Sequence, residues 1–141
     1  MKERDFQTLF GKYIKAKKPK KSTIFELKIC KGTSLPFNSV AEHQIQALID
    51  ATGDTDMGFY HKITDTPWGT IDKFRYTSLK PFDCFYLTGI EAFIVIWFYH
   101  ERKPKKFIFI PISIFLDERD NSERKSLTEI RAREIGTEIT L

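Results

Sequence analysis

Residues 22–30 alternate with a period of two. Thr23, Phe25, Leu27 and Ile29 fall on one side, and Ile24, Glu26, Lys28 and Cys30 on the other. That period is the signature of a β-strand, and one of its faces is apolar throughout. A helical period precedes it: Phe6, Leu9, Phe10, Tyr13 and Ile14 follow i, i+3, i+4, i+7, i+8 and predict a helix over residues 5–16. A second helix is expected over residues 39–51. Ser39 serves as its N-cap with Glu42 three residues on, Val40, Ala41, Ile45, Leu48 and Ile49 form its apolar stripe, and Gly53 stops it.

Further strands are expected over residues 57–63, 82–87, 92–99 and 107–115, the second and third joined by the tight turn at residues 88–91. The run Phe93 to Phe98 is apolar on both faces and reads as a central strand, whereas Pro111 marks the last strand as an edge or a bulge. Residues 65–69 read as a turn, and residues 70–80 fit no single pattern. Residues 117–125 are a charged connector. Ser126 and Glu129 form a second capping box, opening a short helix that Gly136 ends. The expected order is α-β-α-β-β-β-β-α, a mixed α+β fold with a central mixed sheet flanked by helices.

A chain of 141 residues, 41% hydrophobic, is long enough for one core and short for two, so a single domain over residues 1–141 is expected. The 13 phenylalanines and 5 tyrosines favour a sheet-rich core over a helical bundle. Cys30 and Cys84 are too few for a disulfide scaffold, and Cys84 reads as a core residue. No zinc pattern occurs. No apolar run reaches membrane-spanning length, and the first residues lack a signal-peptide core, so a cytoplasmic protein with no membrane partner is expected.

Charge is more telling in its distribution than in its total of +4. Residues 11–22 hold six lysines, Lys12, Lys15, Lys17, Lys18, Lys20 and Lys21, and no acid. Such a run suits a phosphate backbone, where each neutralised phosphate releases counterions, and it also suits a solubilising loop.

Glu26 and Lys28 stand side by side on an otherwise apolar strand. Burying a carboxylate and an ammonium there is costly unless they bind each other or a ligand. Glu-x-Lys on a strand is half of the motif by which many metal-dependent nucleases hold Mg²⁺ and orient a phosphate. It is equally what a solvent-facing salt bridge on a half-exposed strand looks like. The similar triplets Glu101-Arg102-Lys103 and Glu123-Arg124-Lys125 lie in charged, loop-like runs.

The residues that follow narrow the choice. Phe25-Glu26-x-Lys28, then Thr33-Ser34-x-Pro36, then His43-Gln44-Ile45 resemble, in that order, the RecU-type Holliday-junction resolvases of the PD-(D/E)XK nuclease superfamily. The likeness covers about residues 22–63. It implies a restriction-endonuclease-like core, Mg²⁺ or Mn²⁺ as cofactor, DNA (branched junctions included) as partner, and a homodimer, because resolving a junction takes two symmetric cuts. It also places Gln44 near the site.

The chain departs from the family in one respect. The aspartate expected a dozen residues before Glu26 is replaced by the lysine run. Asp83, entering the strand at residues 82–87, is the expected substitute. Glu26 and Asp83, with the Leu27 carbonyl, would then hold the metal, Glu3 of the first helix would reach a second ion or its water, and Lys28 would stabilise the developing charge. Pairing Asp83 with Glu101 and Lys103 is the weaker alternative, because the position for the motif at residues 95–97 is apolar. Two other functions fit the sequence. One is a non-catalytic nucleic-acid-binding protein retaining the fold; the other is an interaction module whose Phe-rich sheet binds a protein. For the dimer, the strand at residues 107–115 and the second helix are the expected contact surfaces.

Overall fold

The computed structural model describes residues 2–17, 21–54, 58–62 and 84–141. Helix α1 (Glu3–Lys17) leads into β1 (Thr23–Cys30), followed by a short strand β2 (Ser34–Pro36) and helix α2 (Glu42–Thr52). Strands β3 (Phe59–Lys62) and β4 (Cys84–Leu87) form an antiparallel pair of their own. Then come β5 (Glu91–Phe98), β6 (Lys106–Pro111), α3 (Ile112–Asn121), β7 (Ser126–Thr128), α4 (Glu129–Ile135) and β8 (Thr137–Thr140). The central sheet has the order β1-β5-β6-β8. β1 runs parallel to β5, with α2 between them in sequence, and the other two pairings are antiparallel. The sheet is therefore mixed, with helices on both faces.

Period-two alternation gives the two faces different chemistry. Phe25, Phe93, Val95, Trp97, Phe107 and Phe109 point to α1, where they meet Phe6, Phe10 and Tyr13 in a largely aromatic layer. On the other face Ile94, Ile96, Ile108 and Ile110 meet Ile45 and Leu48 of α2, Phe115 of α3 and Ala132 of α4. β5 is buried on both sides, which is why its sequence is an unbroken apolar run. Among the described residues no helix is long and apolar enough to cross a membrane.

The expected strand at residues 107–115 is corrected. β6 ends at Pro111 and α3 begins at Ile112, so Ile112, Phe115 and Leu116 are the inward side of a helix. Pro111, with φ −55°, supplies the pre-set turn into it. The spacing i, i+3, i+4 was hidden in a run where every other residue is also apolar. Much of the charged connector at residues 117–125 is consequently the rest of α3.

β6 is also not an edge: β8 pairs along it, from Lys106↔Thr140 to Phe109↔Thr137. Paired on both sides, β6 offers no open edge for a dimer contact. β8 escaped detection because its four residues, Thr-Glu-Ile-Thr, carry little apolar pattern. β2 and β7 were missed for a similar reason, each being three residues long. The turn at residues 88–91 does not close a hairpin. It carries the chain from the small β3–β4 sheet to the central one, with the Ile90 N–H bonded to the Ala51 carbonyl at 3.0 Å.

Both expected N-caps move. Residues Phe37–Ser39 form a 3₁₀ turn, and the Ser39 hydroxyl donates back to the Pro36 carbonyl at 2.6 Å. α2 starts only at Glu42, its first turn closed by Gln44, whose Oε1 accepts from the Ala41 N–H at 3.0 Å. α4 is capped by Thr128, whose hydroxyl accepts from the Arg131 N–H at 3.2 Å. Ser126 instead lies in β7, and its hydroxyl accepts from Ser34 at 2.7 Å. Gly53 ends α2 as expected, in the left-handed conformation with φ 84°. Cys84 is exposed rather than in the core, and Cys30 is the buried thiol.

Gly136 is required by space. A Cβ there would stand 2.8 Å from the Phe109 carbonyl oxygen, 2.8 Å from Ile108 Cγ2 and 2.9 Å from Ile110 Cγ1. Backbone oxygen cannot step aside as a flexible side chain can. Gly136→Ala is expected to destabilise the protein by about 1–3 kcal/mol. A thermal melt checks it: an unchanged midpoint would mean that α4 does not press on β6 as described.

Candidate functional site

β1 is an edge of the central sheet among the described residues, and it carries a charged pair on the aliphatic face; a second pair on that face, Lys106 and Glu138, lies across the sheet on β6 and β8. Glu26 lies beside Ile94 and Lys28 beside Ile96. Two residues apart on a strand, their side chains leave the same face, and Glu26 Oε1 stands 3.3 Å from Lys28 Nζ. The side chains are only 22% and 14% exposed. The pair is thus mostly withdrawn from water in a row that otherwise reads Ile24, Cys30, Ile94, Ile96, which a solubilising surface pair would not be.

The remaining expected site residues are distributed as follows. His43 and Gln44 sit at the start of α2, on the side of the sheet that Glu26 and Lys28 face. His43 is exposed, and the Gln44 amide oxygen is used in closing its own helix. Glu3 is on α1, which covers the opposite, aromatic face. The structure therefore does not bring Glu3 to Glu26. Lys12, Lys15 and Lys17 are exposed on the same helix, Lys17 reaching over the Tyr13 ring at 5.7 Å. Lys21 is exposed just before β1, so the basic run ends beside the edge strand, while its helical part lies across the sheet from the pair. Glu101 and Lys103 are exposed in the turn after β5, where Glu101 pairs with Arg102 at 3.9 Å. Asp83, Lys18 and Lys20 lie outside the described residues, as do the turn at 65–69 and the segment 70–80.

The donor set for a divalent cation is incomplete within what is described. Glu26 offers a hard carboxylate beside an ammonium, but the neighbouring strand presents isoleucines. Among the described residues no three His, Cys, Asp or Glu side chains converge.

A second constellation was not foreseen from sequence. Past the end of β5, His100 Nε2 lies 2.9 Å from Glu129 Oε2, and Arg133 Nη2 donates to Glu129 Oε1 at 2.6 Å. Arg133 Nε donates to Glu138 Oε2 at 2.6 Å, and Lys106 Nζ stands 3.5 Å from Glu138 Oε1. The chain of alternating charges ties α4 and β8 to β6 and the loop before it. Burial pushes the Glu138 carboxyl up, yet Arg133 and Lys106 together hold it below the usual range. Only the Glu129–Arg133 spacing of i, i+4 was legible beforehand. The other partners come from segments 29 or more residues apart in the chain for His100 and Glu129, and from a strand the sequence did not announce.

The fold and the edge-strand pair describe a mixed α+β protein with a charged couple set into the aliphatic face of its edge strand β1. No protein-family model matches the chain, no curated protein matches it in sequence, and no solved structure matches it.

Proposed function

We propose that this protein is a metal-dependent endodeoxyribonuclease, hydrolysing phosphodiester bonds with Glu26, Lys28 and Asp83. One observation carries the reading: a mostly buried Glu26–Lys28 pair presented together on the edge strand β1, in a row of isoleucines where charge has no packing value. The resemblance of residues 22–63 to junction resolvases supports the same assignment, and it alone favours branched DNA.

The chemistry is divided among few groups. Lys28 carries three N–H donors and turns one toward Glu26, so two remain for a phosphate oxygen on which negative charge grows. Glu26 holds that ammonium in place, and its own oxygens orient a water toward the phosphorus. A bound Mg²⁺ or Mn²⁺ supplies Lewis-acid stabilisation of the phosphate. The lysines of residues 12–21 hold the backbone without reading bases.

A cleavage assay with Mg²⁺ across branched, duplex and single-stranded substrates tests this, with Asp83→Asn beside the parent. Cutting by the parent and loss of it in Asp83→Asn is the expected result. Binding without cutting, under Mg²⁺ and Mn²⁺ alike, would replace the nuclease with a non-catalytic nucleic-acid-binding protein. The apolar neighbours of Glu26 on β5 favour that second reading. No binding of any nucleic acid would overturn both.

A further inference from the structure

A cavity of about 400 Å³ opens beyond the C-terminal end of β5, beside the alternating charges described above. Its floor is apolar, made by Phe98 and Ile108, which are 5% and 1% exposed. Glu129, Arg133, Glu138 and Lys106 make the wall, and His100 and Lys103 the rim. We propose that this cavity binds a phosphoryl group, at a site separate from β1 and independent of the activity proposed there.

Donor and acceptor accounting carries the inference. The wall holds two carboxylates, hence four acceptor oxygens, and each has a cationic or imidazole partner within 3.5 Å. Glu129 is held by Arg133 and His100, and Glu138 by Arg133 and Lys106. Every acceptor oxygen of the wall therefore already has a partner. Donors are left over. Arg133 uses Nε and Nη2, and neither its Nη1 nor the Lys103 ammonium has a hydrogen-bond or ion-pair partner among the described residues; the Lys103 backbone N–H donates to the His100 carbonyl at 3.3 Å. Lys106 has one partner for three N–H groups.

Charge agrees with the count. Three cations, Lys103, Lys106 and Arg133, face two acids, leaving an excess of one positive charge before His100 is counted. A cavity with spare N–H donors, carboxylate oxygens that are each already paired, and a positive excess matches an anion better than a cation. The fixed guanidinium matters most, because Glu138 holds its Nε and Glu129 its Nη2, which orients the remaining Nη1 before any ligand arrives. A phosphoryl group, with several oxygens at tetrahedral angles, can take that edge and the two ammonium groups together.

The group can come from a nucleic-acid backbone or from a free phosphate or nucleotide, and the experiment separates these. The full chain, labelled with ¹⁵N, is titrated in turn with inorganic phosphate, a 5′-nucleotide and an oligonucleotide lacking terminal phosphates. Saturable shifts confined to the amides of residues 98–108 and 129–138 are expected. Lys103→Glu, at an exposed position outside the wall's ion pairs, should weaken binding about tenfold or more. Lys62→Glu, at an exposed position on the separate β3–β4 sheet, should leave these shifts unchanged. Shifts with the oligonucleotide but not with the small anions assign the backbone as source, and the reverse assigns a free ligand. No saturable shift with any of the three, or equal affinity in Lys103→Glu and the parent, overturns the proposal.

Discussion

Replacing Glu26 and Lys28 together with leucine is expected to leave the protein folded and at least as stable as the parent and, on the nuclease function proposed above, to abolish DNA cleavage. An ion pair taken mostly out of water contributes little net stability, because desolvation cancels much of the Coulomb attraction. Apolar replacement of such pairs is neutral or stabilising by up to about 4 kcal/mol. The surroundings here favour that outcome, since Ile94, Ile96 and Ile24 would accept two leucines into a continuous aliphatic row. Single replacements behave differently. Glu26→Leu strands an ammonium and Lys28→Leu strands a carboxylate, each costing less than the roughly 3–5 kcal/mol of a fully buried broken pair. Removing Lys28 alone should lower the cleavage rate by about 10²–10³-fold, the usual loss when one group that stabilises developing charge is deleted. Urea denaturation and a cleavage time course, run on all three variants, separate the roles. A double variant that is both several kcal/mol less stable and equally active would make the pair a structural clamp and end its catalytic assignment.

The second large effect is on stability. Phe107→Ala should cost about 3–5 kcal/mol, a large share of what holds a domain of this size together. Phe107 is fully buried on β6 and lies at the centre of the aromatic layer. Its ring centroid is 5.0 Å from that of Phe6, 5.8 Å from Trp97, 6.0 Å from Phe10 and 6.3 Å from Tyr13. Removing it takes away the contact through which α1 grips the sheet, and the rings around it cannot collapse into the gap without leaving their own rotamers. A drop in the urea midpoint with an unchanged slope is the expected signature. Ile130→Ala, at a side chain 71% exposed on α4, should stay within about 0.5 kcal/mol of the parent and serves as control. A loss below about 1 kcal/mol for Phe107→Ala would mean that α1 is held by something other than this layer.

What the sequence determined by itself is the set of strongly periodic elements and the chemistry they carry. The α1 stripe, the alternation of β1 and the two-sided apolar run of β5 are local patterns, because each records which neighbours its own side chains must meet. The pairing of Glu26 with Lys28 was legible for the same reason: two residues apart on a strand is one face, whatever lies around it. The tertiary structure decided what depends on partners distant in sequence. That β6 is interior rather than an edge rests on β8, four weakly patterned residues whose pairing, not composition, makes them a strand. Where β6 stops and α3 begins was settled by packing of Ile112 and Phe115 against the sheet, since an unbroken apolar run fits either period. The separation of Glu3 from Glu26 follows from the face α1 covers. The chain of charges from His100 to Lys106 exists only because four separate segments converge past the end of β5. Each of those residues, read in its own segment, is an ordinary solvated charge.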